Sequence, residues 1–192
     1  MTATLEHDRW GRSPGRLLLW AIPTALLVAP SVMMLREAEG WLWSPFDFAF
    51  AAALLYGTAG LIDLAIRRGG STAYRLGAGL AVLVSFLLIW VNGAVGVIGD
   101  EDNPANLMLM GVILIALAGS ALARFEAKGM ARAMLVAFAL TAAIAVAALV
   151  LGWGAGDPPG AVRLAMLIGG FSAMWGLSSA LFAKTGRDAA SA

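Results

Sequence analysis

The chain contains no cysteine and a single histidine, His7. The first absence removes disulfides, thiolate metal sites, iron–sulfur clusters and cysteine nucleophiles together. The second bears on haem and on hydrolysis. Haem in a membrane bundle takes axial ligands that are usually histidine, and serine chemistry there wants a histidine base. His7 precedes the first apolar run, so neither has its ligand or base. Charge is scarce as well: 13% of the residues are charged and 60% are hydrophobic, against about 25% and about 45–50% in a soluble domain. Mean hydropathy is +0.83. A soluble fold could not hide so much apolar surface, so the expected solvent is lipid. No basic block with interleaved aromatics occurs, and nucleic-acid binding has no support.

What is present is a series of long apolar runs. A helix needs about 20 mostly apolar residues to cross the hydrocarbon core. Six runs qualify: Leu17–Leu35, Phe46–Ile66, Leu76–Gly99, Pro104–Ala123, Met130–Gly152 and Ala161–Ala183. The intervening loops are too short for a folded soluble domain. The expectation is therefore all-α, a polytopic membrane protein with six transmembrane helices in one bundle. A single transmembrane domain spans 1–192, with short cytoplasmic tails at 1–15 and 185–192.

The few charges give an orientation. Arg9, Arg12 and Arg16 precede the first run; Arg67, Arg68 and Arg75 separate the second and third; Arg124, Lys128 and Arg132 separate the fourth and fifth; Lys184 and Arg187 follow the sixth. The remaining loops hold only Arg36 and Arg163 as cations, and collect Glu37, Glu39, Asp100, Glu101, Asp102 and Asp157. The positive-inside rule places both termini in the cytoplasm. The first run is longer than a usual signal core and no good A-x-A site follows it, so it is expected to remain as a span.

Four runs open on a polar residue followed by proline: Ser13-Pro14, Ser44-Pro45, Asn103-Pro104 and Asp157-Pro158. Such side chains accept hydrogen bonds from the free N–H groups of a first turn, and proline suits the first helical position. Asp47, three residues after Ser44, stands where a capping-box acid would. Pro23 and Pro30 each remove a backbone hydrogen bond inside the first run and should bend it. Small residues recur at helical spacing in Ser172/Gly176/Ala180 and Ala49/Ala53/Gly57, and every third residue in Gly93/Gly96/Gly99. Such faces let helices approach closely, within one bundle or against another subunit. Trp20, Trp41, Trp43, Trp153 and Tyr74 fall near the ends of runs, where amphipathic rings prefer to lie.

Little of this is chemistry. Gly154–Asp157 reads GAGD, superficially the GxGD motif of aspartyl intramembrane proteases. The Tyr-Asp pair such enzymes also need is missing, and two prolines follow Asp157. Asp63 is the one carboxylate well inside a run. Arg67 follows at i+4, the spacing of an ion pair, and a structural pair is a better reading than a proton relay. The most polar interruption is GDEDNPAN, Gly99 to Asn106. Asn92, Gly96 and Gly99 share a helix face, Asp100, Glu101 and Asp102 crown the turn, and Asn106 lies in the next first turn. Asn92, Gly96, Asp100, Glu101, Asp102 and Asn106 are thus the candidate ligand-binding residues of an outward-facing polar pocket. The plainer reading is an acidic loop, one helix cap and a hydrogen bond between Asn92 and Asn106. One short loop offers no established metal-ligand spacing. Neither a metal, a cofactor nor a catalytic residue is expected.

The run VNGAVGVIGDEDNPANLM, Val91 to Met108, resembles a stretch of small multi-pass bacterial membrane proteins. The resemblance implies a bacterial inner (cytoplasmic) membrane location with this hairpin as signature, and implies no activity, substrate or cofactor. Two function classes follow. One is a non-catalytic accessory or scaffold subunit whose partners are the lipid bilayer and other membrane subunits or further copies of itself. The alternative is a small-solute or ion binding or transport protein entered near Asn92, Asp100 and Asn106.

Overall fold

The computed structural model describes residues 13–36, 42–100, 102–153 and 160–191. Among them all regular structure is helical: α1 (Pro14–Leu35), α2 (Pro45–Arg68), α3 (Thr72–Val95), α4 (Asn106–Leu122), α5 (Ala127–Val150) and α6 (Gly160–Asp188). All except α4 are long and apolar enough to cross a membrane. With 17 residues, α4 is about 26 Å long at roughly 1.5 Å per residue, a little short of a hydrocarbon core. This is the all-helical, apolar architecture of a multi-pass membrane protein.

The helix starts follow the local chemistry of the sequence. Ser13 Oγ accepts the Arg16 amide at 3.3 Å, with Pro14 in the first turn. Ser44 and Asp47 form a reciprocal box: Asp47 N–H donates to Ser44 Oγ at 3.2 Å, and the Ser44 amide and hydroxyl donate to Asp47 Oδ2 at 2.7 and 2.8 Å. The backbone N–H groups among these donors are ones that the helix start leaves without an intrahelical acceptor. Ser71, not marked by a following proline, caps α3 through Tyr74 N–H at 3.1 Å.

The chain divides into two compact units, one ending at Arg68 and one beginning at Gly69. The first is the α1–α2 hairpin. Pro23 and Pro30 are buried and α1 is continuous through both. The residue after each proline bonds back to a carbonyl one turn earlier, Thr24 Oγ1 to Trp20 O and Ser31 Oγ to Leu27 O, both at 3.1 Å. The Thr24 hydroxyl also meets the Tyr56 hydroxyl at 2.7 Å, and the Trp20 and Tyr56 rings stack 6.3 Å apart. These contacts tie α1 to α2.

The second unit is a four-helix bundle. α6 packs most extensively on α5 and next on α3; α4 packs on α5 and touches α3 little. Val84, Leu88, Leu109, Ala137, Ile168, Trp175 and Phe182 fill its core, each fully buried. Small residues admit the close approaches. A Cβ at Gly119 would lie 2.9 Å from that of Ala133, one at Gly129 would collide with Ala123, and one at Gly77 would press on Leu181 and Phe182 at 3.3 Å. Serines of α6 clasp neighbouring main chains: Ser178 Oγ donates to Gly77 O at 2.8 Å, Ser179 Oγ to Ala131 O at 2.7 Å, and Ser172 Oγ to Phe138 O at 3.3 Å.

Three features depart from the sequence reading. The third run ends as helix at Val95, not Gly99, because Gly96 turns left-handed (φ +67°). The helix of the fourth run starts at Asn106, because Pro104 and Ala105 belong to a turn that Asn103 Oδ1 closes on the Ala105 amide at 3.0 Å. Tyr74 is not a boundary anchor. It is buried, edge-on to Phe182, and its hydroxyl donates to Phe125 O at 2.6 Å. There it holds the α4–α5 turn, whose Arg124 and Phe125 adopt positive φ.

Candidate functional site

The α3–α4 connection is the most polar construction inside the bundle unit. Asn92 stands in the last turn of α3 and Asn106 opens α4, and both are buried. Between them the chain leaves the helix, and Val97 and Ile98 enter the interior at 1% and 0% exposure. Buried non-helical backbone must have its N–H and C=O groups satisfied, and the two asparagines do this. Asn106 Oδ1 accepts from Ile98 N–H at 2.8 Å and Val97 N–H at 3.2 Å, while its amide nitrogen donates to Asp100 O at 2.7 Å and Ile98 O at 3.4 Å. Asn92 Oδ1 also accepts from Val97 N–H at 3.2 Å, and its nitrogen donates to Asn106 O at 3.4 Å. An asparagine amide offers two lone pairs and two N–H donors. All four of Asn106 are engaged with the main chain. From α6, Arg163 Nη2 donates to Gly99 O at 2.8 Å. Side chains of three helices thus pin one five-residue strap, with Val97 and Ile98 pressed into the bundle below it.

The structure brings Asn92, Gly96, Asn106 and the Asp100 carbonyl together. It leaves the Asp100 and Asp102 side chains exposed. Glu101 lies outside the described residues, as do His7 and the GAGD run. Asn92 reaches Asn106 through that residue's main-chain carbonyl, not amide to amide. Gly96 and Gly99 are not a packing stripe with Gly93: they carry φ of +67° and +76°, which glycine alone adopts readily, whereas a Cβ at Gly93 would meet nothing within 4 Å. Reading the sequence overlooked Arg163 as a partner of this strap. Its signal was available, since Arg163 is one of two cations in loops otherwise acidic.

A second polar cluster lies in the α1–α2 unit. Asp63 is 6% exposed. Its Oδ2 is 3.0 Å from Arg67 Nη2, the i,i+4 pair expected from sequence, and its Oδ1 is 3.4 Å from Arg16 Nε on α1. A buried carboxylate needs such partners to remain charged. The second arginine is non-local and could not be read from spacing. Among the described residues no three acidic or histidine side chains gather into a metal-ligating group.

No family model matches the chain, and comparison with curated proteins and with solved structures finds none similar to it. The functional reading rests on the geometry.

Proposed function

We propose that the chain is a non-catalytic accessory subunit of a membrane assembly, lying in the bacterial inner membrane with both termini in the cytoplasm. The observation that carries this reading is the complete use of Asn106. Its four hydrogen-bonding positions are spent on the main chain of its own hairpin, so Asn106 acts as a brace and keeps neither a lone pair nor an N–H for a solute. The core of the bundle is filled by large apolar side chains, and Asp63 sits in an ion cluster.

A contrast between small-residue faces supports a partner. On α6, in the Ser172/Gly176/Ala180 stripe, a Cβ at Gly176 would lie 3.2 Å from the Phe138 ring. On α2, Ala49, Ala53 and Gly57 are exposed, and a Cβ at Gly57 would meet nothing within 4 Å. Lipid tails are as apolar as leucine, so a small-residue stripe gains most from a second helix packed closely on it. Purification from native membranes in mild detergent, with mass spectrometry of what is retained, tests the reading. A stoichiometric protein partner that Gly57→Leu releases is the expected result. A lone chain carrying a small molecule that Asn92→Leu releases would overturn it in favour of a solute-binding protein.

A further inference from the structure

The start of α5 carries charge that its own helix disfavours. Lys128 lies in the first turn, at the positive end of the helix dipole, which favours an acid over a cation. No acid stands in that turn, and Glu126 at the N-cap makes no side-chain cap hydrogen bond. Arg132 follows Lys128 at i+4, and like charges at that spacing repel. Lys184 and Arg187, near the end of α6, suit the dipole of their own helix but form a second like-charged pair, at i+3. All four side chains are exposed. Among the described residues no carboxylate lies within 4.0 Å of any of the four charged groups, Glu126 and Asp188 included.

Packing sets the two pairs at one end of the four-helix unit. A Cβ at Gly186 would lie 3.9 Å from the main chain of Lys128. The Ser179 hydroxyl donates to Ala131 O at 2.7 Å and fixes the register of α6 on α5 there. The Thr185 and Ser71 hydroxyls meet at 3.2 Å, so α3 begins at the same end. The depth is that of a membrane boundary. α6 has 29 residues, so it is about 44 Å long at roughly 1.5 Å per residue, against about 30 Å of hydrocarbon. Its apolar stretch closes at Ala183, and Lys184 opens the polar end that lies outside the core. Cations held together against their mutual repulsion at that depth are stabilised by the phosphate layer of an anionic leaflet. Four exposed cations on two helices suit a layer of headgroups better than a single ion. We propose that Lys128, Arg132, Lys184 and Arg187 form a docking surface for the headgroups of anionic phospholipids. The inference stands independently of the accessory role.

The full-length chain, immobilised in a neutral detergent with equal amounts of phosphatidylglycerol and phosphatidylcholine, tests the surface. It is washed at a set salt concentration, and the retained lipid is extracted and quantified by mass spectrometry. The wild type is expected to retain the anionic lipid in excess. Raising the salt from about 0.1 M to about 1 M shortens the screening length from about 10 Å to about 3 Å and should remove the excess. Lys128→Gln, Arg132→Gln and Arg187→Gln should each lower the preference about fivefold, the effect of one basic residue near an anionic surface. Lys128→Arg keeps the charge and should keep the preference. Arg36→Gln removes the same charge from a loop that also carries Glu37 and Glu39, and should leave the preference unchanged. In lipid-free detergent Lys128→Gln relieves repulsion, so its thermal midpoint should not fall below that of the wild type. A fall there, an excess that survives high salt, no preference between the lipids, or an equal loss in Arg36→Gln would overturn the proposal.

Discussion

Replacing Asn106 and Asn92 separately by leucine discriminates the brace from a mere pair of polar contacts. Asn106→Leu removes the oxygen that holds Ile98 N–H at 2.8 Å and the nitrogen that reaches Ile98 O at 3.4 Å, at a residue with 0% exposure. An unsatisfied buried donor or acceptor costs about 1–3 kcal/mol, and the long carbonyl contact belongs at the low end, so the loss is roughly 2–4 kcal/mol. Asn92→Leu is milder. Val97 N–H keeps Asn106 Oδ1 at 3.2 Å, and the lost donor bond to Asn106 O was long at 3.4 Å. Its cost is at most about 1 kcal/mol. At roughly 2–4 °C per kcal/mol for a chain of this size, the thermal midpoint in detergent should fall by roughly 4–16 °C for Asn106→Leu and by no more than about 4 °C for Asn92→Leu. Equal losses, or a greater loss at Asn92, would refute the assignment of the bracing role to Asn106.

Other outcomes follow from the same geometry. Gly96→Ala should destabilise by about 1–3 kcal/mol, because φ +67° with ψ 147° is accessible to little but glycine; Gly93→Ala, helical and open, should be neutral or stabilising by up to about 1 kcal/mol, and paired melting curves would check both. Gly129→Val should lower the folded yield far more than Gly57→Val, since only the first places a side chain against Ala123. Ser44→Ala should cost about 1 kcal/mol through loss of the α2 cap, measured as a midpoint shift. Trp175 is fully buried and its indole N–H has no hydrogen-bond partner among the described residues. Trp175→Phe should therefore stay within about 1.5 kcal/mol of wild type, the lost volume being offset by removal of a buried orphan donor; a loss several times larger in a chemical-denaturation series would contradict this.

The helices were legible because their cause is local. Apolar runs of spanning length mark α1, α2, α3, α5 and α6, and Ser13-Pro14 and Ser44-Pro45 mark two starts by the caps later seen. The end of α3 was misjudged because Val97 and Ile98 are as apolar as the helix before them. Hydropathy registers that a residue is buried, not whether its backbone is helical or extended, and the decisive signal was Gly96, which takes a positive φ. The polar site was legible as a set of residues and not as a mechanism. Asn92 and Asn106 are close, as their positions on facing turns implied, but their partners are main-chain atoms that exist as targets only once the strap is formed. Arg16 reaches across to α2 and Arg163 to the strap, and contacts at such sequence separation leave no periodic trace.

The most direct test of the accessory role uses the absence of cysteine. Ala53→Cys places a single thiol on the exposed stripe of α2, and Leu114→Cys places one on an exposed apolar position of α4. Each variant is labelled with a maleimide photocrosslinker in native membranes, irradiated, and resolved by size. The account predicts a discrete protein adduct larger than the chain at Ala53, absent at Leu114. Lipid adducts alone at both positions would contradict it.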